Sequence, residues 1–383
     1  MEKTSNQLTI GFLSQFDPHD RKASSGTSYK MAEQLSKMGE LKWIPIKIST
    51  TGKWLLRILN YVNRRLDKKI VVRMTELGSR CSCTIDKNLI EECDVITAFF
   101  CSDVLATTSF SKPVIYFTDA TFPILLDYYH VFSNVWNFNK RQGCKMESRM
   151  LKNVSYAVFG SDWARDSAIK DLGGKPEKMK VVEFGPNIDE KDIVSRVRTF
   201  SAGSTLRLLF LGVDWERKGG QKAVDACKWL IGQGMDVRLS IVGIRELPQE
   251  ISLLPFVDNH GFLDKNNPTD YDKLVQTISD SHILILPTIN ECAGIAFAEA
   301  SAYGLPVITH DTGGIANYVI NGHNGYRLPL SSTAIDFGKK IADLLESNKL
   351  EQLSKNAISL YNDKLNYNRW GGDIWDLIKG LCG

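Results

Sequence analysis

The 383-residue chain has no Cys-x-x-Cys pair, no histidine cluster, no long apolar run and almost no net charge. Each absence closes off a class of function. Its eight cysteines, at 81, 83, 93, 101, 144, 227, 292 and 382, are scattered with no histidine cluster nearby, which points to reduced thiols rather than a disulfide framework or a zinc site. The six histidines show no metal-ligand spacing either. No apolar stretch approaches the ~20 residues that span a bilayer, and Met1 to Gln7 runs into a strand-like segment without a signal-peptide pattern, so a cytoplasmic location is expected. Lysine and arginine number 47 against 44 aspartates and glutamates, a net charge of +3, and that near balance argues against nucleic acid as the main ligand.

What is present describes a soluble, two-domain α/β protein. Hydrophobic residues make up 43% and charged residues 24%, and the length exceeds one ordinary core. Strand-like and helix-like segments alternate: Leu8 to Leu13, then a helix Tyr29 to Met38; Leu89 to Phe100 and Pro113 to Phe117 as strands; Met146 to Lys152 as helix; Tyr156 to Phe159, then a helix Trp163 to Leu172 capped by Ser161. The small, polar Ser201-Ala-Gly-Ser-Thr205 reads as a linker, dividing residues 1–200 from 205–364. Beyond it come the strand Leu206 to Gly212, the helix Gln221 to Gln233 and the strand Leu239 to Gly243. Asp270-Tyr-Asp272 has the form of a metal-binding acid pair, but it opens the helix Lys273 to Ser279 and reads as an acidic first turn.

The densest stretch follows the apolar run His282 to Pro287, which has the length of a strand buried on both faces. Glu291 and Glu299 stand there with seven residues between them, and a helix is expected from Gly294 with Ala296, Phe297, Ala300 and Ser301 facing inward. Glu291 then lies in the loop after a strand and Glu299 more than one turn into the helix, with the amides of Cys292, Ala293, Gly294 and Ile295 between them. First-turn amides hold phosphate, and carboxylates on either side accept hydroxyl hydrogen bonds. The layout suits a sugar nucleotide. The alternative is an ordinary first-turn acid at 291 and a solvated one at 299.

Glu291, Gly294, Ile295, Glu299, Ala300, Gly304, Pro306, Val307, Gly313, Gly314 and Gly325 together resemble the signature of retaining glycosyltransferases of the GT-B fold, family 4. The resemblance implies two Rossmann-like domains facing each other across a cleft, with residues 1–200 binding the acceptor, 205–364 binding the nucleotide-sugar donor, and a tail from about 365 to 383 rejoining the first. It covers most of the second domain and only loosely the first. It implies transfer of a sugar to a hydroxyl of a glycan or lipid-linked acceptor, with no metal and no other cofactor. Domain closure would exclude water, and the leaving phosphate would accept the proton. Glu291 would position the sugar and Glu299 the ribose, while Arg217 and Lys218 would stabilise the departing diphosphate.

The resemblance also implies that Phe262, in Val257 to Leu263, lies beside the base, that Thr312 and Gly313 touch sugar or phosphate, and that Gly26 and Thr27 form a donor-facing turn. His310 is the only histidine in a motif loop. Departures are Val213, where many relatives have arginine, Asn317, where many have glutamate, and Asp119, where many have histidine. Asp119 lies just past a strand end, as a sugar-binding group, an acceptor base or a turn cap. Residues 53–69 place Trp54, Leu55, Ile58, Leu59, Val62 and Leu66 at helical spacing among Arg57, Arg64, Arg65, Lys68 and Lys69. That is either a helix packed on the first domain or a peripheral contact with anionic lipid on the inner face of the plasma membrane. Two rival functions are a sugar nucleotide 2-epimerase, which would want more crevice acids and histidines than Asp119 and His310, and a non-catalytic sugar-nucleotide binder.

Overall fold

The structure, a computed structural model, describes residues 8–63, 65 and 68–383, apart from the side chains of Asn60 and Ser82. The expectations for Met1 to Gln7, and those for Arg64 and Leu66, lie outside the described residues. Two compact units divide the chain, residues 1–182 with 371–383, and residues 183–370.

The first unit has a six-stranded parallel sheet: β1 (Thr9–Ser14), β2 (Glu40–Pro45), and, after a short antiparallel ribbon of β3 (Lys47–Ile48) and β4 (Cys83–Thr84), β5 (Val95–Phe99), β6 (Val114–Thr118), β7 (Tyr156–Phe159) and β8 (Met179–Val181). The strand order is β2-β1-β5-β6-β7-β8. β1, β5 and β6 are buried at every position, which is why they read as continuous apolar runs. The second unit repeats the plan with β9 (Leu206–Leu211), β10 (Val237–Val242), β11 (Val257–Gly261), β12 (Ile283–Leu286), β13 (Val307–His310) and β14 (Gly325–Leu328), in the order β11-β10-β9-β12-β13-β14. In each sheet the order reverses once, between β1 and β5 and between β9 and β12. At such a point the loops leaving the carboxyl ends of the two strands diverge and leave a crevice for ligand.

Several sequence expectations are corrected here. Leu89 to Phe100 is not one strand: a helix Lys87–Glu91, capped by the Asp86 side chain, precedes β5. The acids Glu91, Glu92 and Asp94 interrupt the apolar run, and Asp94 instead accepts a hydrogen bond from Thr9 N at 2.8 Å. The segment expected at Met146 to Lys152 is part of a longer helix, Asn137–Asn153. Among the described residues the basic helix covers Thr50–Asn63, starting three residues earlier than expected. In the helix Ile295–Ala302, Ala296 is only half-buried, while Phe297 through Ala302 are all buried.

The change of unit at Val182/Glu183 precedes the Ser201–Thr205 segment. The chain between them is fastened to the second unit. Glu183 is buried, accepts from Asn317 Nδ2 at 2.6 Å and pairs with Lys364 at 2.8 Å. The asparagine at 317 thus faces a carboxylate supplied from elsewhere, where a glutamate would place two acids together. The buried Arg198 donates to Tyr303 O at 2.7 and 3.2 Å and to Ser279 O at 2.5 Å. These carbonyls close the ends of two helices, where the dipole is negative, and among the described residues no carboxylate hydrogen-bonds its guanidinium. Burial lowers its pKa to about 10. The last helix, Tyr367–Cys382, passes to the first unit at Gly371, which packs against Gln34 and Met38.

Candidate active site

In the second unit the switch point between β9 and β12 gathers three loops. Leaving β9, the chain runs from Gly212 to Gly219 before the helix Gly220–Gly232. Gly219 has a φ of 73°, and a Cβ there would stand 2.2 Å from Pro287 O. Only glycine meets both demands, and the contact lays this loop against the end of β12. Ile289 N donates to Arg217 O at 2.9 Å, and Arg217 Nη1 donates to Asn290 O at 2.8 Å. The third loop, after β13, is tied in turn: Gly314 N donates to Glu291 O at 3.0 Å and Thr312 Oγ1 to Ile289 O at 3.2 Å.

This stitching brings Arg217, Lys218 and Glu291 together. The Lys218 ammonium makes a direct hydrogen-bonded ion pair with the Glu291 carboxylate, and Arg217 Nη1 lies 4.0 Å from it. Lys218 is buried and the Glu291 side chain is 13% exposed. Glu291 lies before the helix Ile295–Ala302 rather than in its first turn, which removes the reading as an ordinary first-turn acid. The basic pair and the acid, expected to act on different parts of a ligand, are in contact with one another. Asp214 Oδ2 lies 3.5 Å from Arg217 Nε, so the cluster's charges balance.

Gly294 caps the helix, and a Cβ there would collide with Phe297 Cδ2 at 2.4 Å and Tyr318 Cγ at 2.8 Å. Glycine lets the helix start this close to Tyr318. Phe297 N and Ala298 N donate to Gly294 O, both at 2.9 Å, so the helix itself leaves over only the amides of Ile295 and Ala296 in its first turn, and the adjoining Cys292 and Ala293 are buried. Glu299 is only 4% exposed, so it is not a solvated helix residue. It pairs with Lys265 at 2.9 Å, and Lys265 also donates to Asn187 O at 3.1 Å.

Past β10 and β11, the Arg245 guanidinium stacks on the Phe262 ring 3.9 Å from its centroid. His310 is the last residue of β13 and wholly buried. Its Nδ1 faces Pro287 O and Thr288 O at 3.0 and 3.2 Å, so it donates there, and Nε2 accepts from Lys222 at 3.1 Å. Burial and Lys222 lower its pKa, in keeping with a neutral ring that pins the β12 end. Val213, where the resemblance leads to an expectation of arginine, is exposed.

In the first unit, Gly26 (φ 98°) caps the helix Thr27–Ser36, and Thr27 is buried. Asp119 follows β6 and lines a cavity of about 260 Å³ together with residues after β5 and from the helix Asn137–Asn153. Gly26 and Thr27 do not line it. Within it Arg73 makes a two-point contact with Asp103, at 2.6 and 2.8 Å, and donates to Gln15 at 2.5 Å. Burial alone would lower the Arg73 pKa, but the Asp103 carboxylate outweighs it and raises it. Glu147, 3% exposed, accepts from Phe122 N at 2.6 Å, and burial pushes its pKa up to about 7.

Lys265, Arg245, Glu147 and the Arg73–Asp103 pair were not found by sequence reasoning. Glu147 carried a signal, an acid inside the stripe Gly143, Met146, Met150 and Leu151 that the helix buries. Lys265 and Arg245 lie in loops with no periodicity to mark them. Among the described residues no group of three or more histidines, cysteines or acids could hold a metal ion.

The family model for glycosyl transferases group 1 matches residues 149–360, more than half of the chain and nearly all of the second unit. WcaL of Salmonella typhimurium, named for colanic acid biosynthesis, is 28% identical over 204 residues, 48% of each chain. A D-inositol 3-phosphate glycosyltransferase of Paenarthrobacter aurescens is 22% identical over 190 residues, 47% of this chain and 46% of its own. The chain thus spans about half the length of these relatives. Among solved structures, Anabaena HepE in complex with UDP-glucose superposes with a TM-score of 0.65 at 16% identity, covering 98% of this chain and 100% of its own. That likeness gives the fold class, GT-B. With its six-stranded parallel sheets and with over half its length matched, the chain belongs to the glycosyl transferases group 1 family.

Proposed function

We propose that this protein moves a sugar from a nucleotide-sugar donor to a hydroxyl of a glycan or lipid-linked acceptor, with retention of anomeric configuration. The observation that carries the reading is the cluster of Arg217, Lys218 and Glu291 at the switch point between β9 and β12, beside the first turn of the helix Ile295–Ala302. Helix amides and two cations suit a diphosphate, and their positive charge is available to a leaving group without a metal cofactor. Lys218 would exchange part of its contact with Glu291 for a phosphate oxygen, leaving the carboxylate to accept a sugar hydroxyl. Glu299, held by Lys265, would accept from the ribose, and Phe262 with Arg245 would flank the base. Thr312 and Gly313, on the third loop, would touch the sugar or its phosphate, and Gly26 and Thr27 would present the β1 turn to the donor. UDP-glucose bound to the structurally similar HepE supports a nucleotide-sugar donor.

The place of work is proposed to be the cytoplasmic side, with peripheral membrane contact. Trp54 and Tyr61 are exposed on the helix Thr50–Asn63, and Arg65 and Lys68 lie over the rings of Tyr61 and Trp136. No helix among the described residues is long and apolar enough to cross a membrane.

Glu291→Gln tests the assignment. Donor turnover should fall at least 100-fold, as for removal of a group that acts on the transition state, while nucleotide affinity stays within a few-fold. Losing a charged partner of a buried lysine costs about 1–3 kcal/mol, and thermal unfolding should move down accordingly. Near-normal turnover would refute the role.

A further inference from the structure

The ion pair of Glu299 and Lys265 is the first step of a longer relay of buried contacts. The Lys265 ammonium donates to Glu299 Oε1 at 2.9 Å and to Asn187 O at 3.1 Å, and the Asn187 side chain accepts from the Tyr367 hydroxyl at 3.0 Å. All four residues belong to the second unit. Glu299, Asn187 and Tyr367 are buried, and the Lys265 side chain is 16% exposed. Bonds in so dry a setting are electrostatically strong and polarise one another, so the four groups act together rather than as separate contacts.

The far end of the relay lies where the polypeptide changes unit. Asn187 follows the crossing at Val182/Glu183, and Tyr367 precedes the one at Trp370/Gly371. These two stretches touch. A Cβ at Gly185 would stand 2.7 Å from Tyr367 N, an approach that only glycine permits, and Lys364 and Glu183 join the same two stretches at 2.8 Å. Asn187 is gripped at both of its polar groups, the carbonyl by Lys265 and the side chain by Tyr367, so its position sets where the ammonium sits. The ammonium in turn selects one rotamer of Glu299, a side chain with several to choose from.

We propose that Asn187 and Tyr367 are positioning residues for nucleotide binding, which hold Lys265, and through it the Glu299 carboxylate, in the pose that accepts the ribose. The proposal rests on the reading of Glu299 as the ribose acceptor and adds the groups that act on it from the unit crossings. Such coupling is reciprocal: a ribose on Glu299 steadies the crossing stretches by the same free energy with which they steady it. The diphosphate, which that reading gives to Arg217, Lys218 and the helix amides, is held by groups outside the relay.

The test is titration calorimetry of the full chain with UDP, GDP and ADP, set against inorganic diphosphate, which has no ribose. Tyr367→Phe keeps the ring and its contact with Trp370 and removes only the hydroxyl, while Phe184 N on Tyr318 Oη at 3.0 Å and Asp189 N on Tyr271 Oη at 2.8 Å still fasten the Asn187 stretch. The nucleotide that binds the parent should bind this variant about threefold more weakly, part of the worth of one hydrogen bond, with the diphosphate Kd unchanged. In a Lys265→Met background the same change should cost nothing more, because the link it acts through is gone. A hydroxyl with a merely structural role would weaken both ligands or act equally in both backgrounds; either result, or unchanged nucleotide binding, would overturn the proposal. Should Tyr367→Phe not fold, hydrogen exchange of residues 183–192 in the parent decides. Saturating nucleotide should slow it by about the same threefold and saturating diphosphate should not, and equal effects would overturn the proposal. A parent that binds none of the three nucleotides would instead sink the glycosyl-transfer reading, and the Glu299 assignment with it.

Discussion

Replacing Glu147 with glutamine should make the first unit more stable above neutral pH and remove a pH dependence that the parent carries. The carboxyl is 3% exposed, and burial raises its pKa from 4.5 to about 7 against the opposing hydrogen bonds from Phe122 N and Ser102. A raised acid pKa means that the fold prefers the protonated form. At about 1.4 kcal/mol per tenfold, that preference is on the order of 3 kcal/mol. The sign follows directly. This stabilisation is fully present below pH 4.5, where the carboxyl is protonated folded or unfolded, and is lost as the pH rises through about 7. Glutamine keeps an acceptor for Phe122 N and never ionises.

The difference between parent and variant isolates this group. His282, lowered to about 4 chiefly by burial, loses stability as the pH falls below 6.5, in the opposite direction and an overlapping range, but it does so in both proteins. Hydrogen exchange of the β5 and β6 amides, read at matched pH from 5 to 8.5, reports the opening free energy of this unit alone. The parent should lose about 1.4 kcal/mol per pH unit relative to Glu147→Gln between pH 5 and 7, and the gap should level off above about 7.5. Parallel curves would show that the carboxyl titrates normally, and the burial argument would fail with them.

Two further outcomes are expected. Lys265→Met should leave Glu299 buried without its cation, lowering the unfolding midpoint of the second unit and raising the nucleotide Kd about tenfold, as titration calorimetry would read; unchanged affinity would detach Glu299 from the ribose. Vesicles containing anionic lipid should float the protein in a gradient, and Trp54→Ala with Lys53→Glu should abolish this at low salt; no flotation of the parent would end the membrane proposal.

Much of the alternation of elements was legible locally. β12 is a buried run closed by proline, β9 is buried except at Arg207 and Leu211 and closed by glycine, and the helix after Gly294 announces itself through small residues and a flanking strand on each side. Where local reading failed, the cause was also local. Glu91 to Asp94 broke an apolar run into helix and strand, and the edge strand β2, half-exposed, lacks the buried signature of β1. The linker read at Ser201 to Thr205 left Glu183 to Phe200 with the first domain, and only the partners Asn317, Tyr318, Tyr303 and Lys364 reveal that this stretch is anchored on the second unit.

The sequence by itself determined that two strand-helix domains exist, that Glu291 lies in a loop at a strand end and Glu299 inside a helix, and that Arg217 and Lys218 follow another strand. These properties depend on neighbours a few residues away, through period, capping and turn chemistry. Only the tertiary structure decided which charges meet. Lys218 and Glu291 are 73 positions apart, Lys265 and Glu299 34, Arg73 and Asp103 30, and Glu183 and Asn317 134. Such pairs follow from the order in which the strands lie in their sheets, which no periodicity encodes, and strand order brings the loops after β9 and β12 to one switch point.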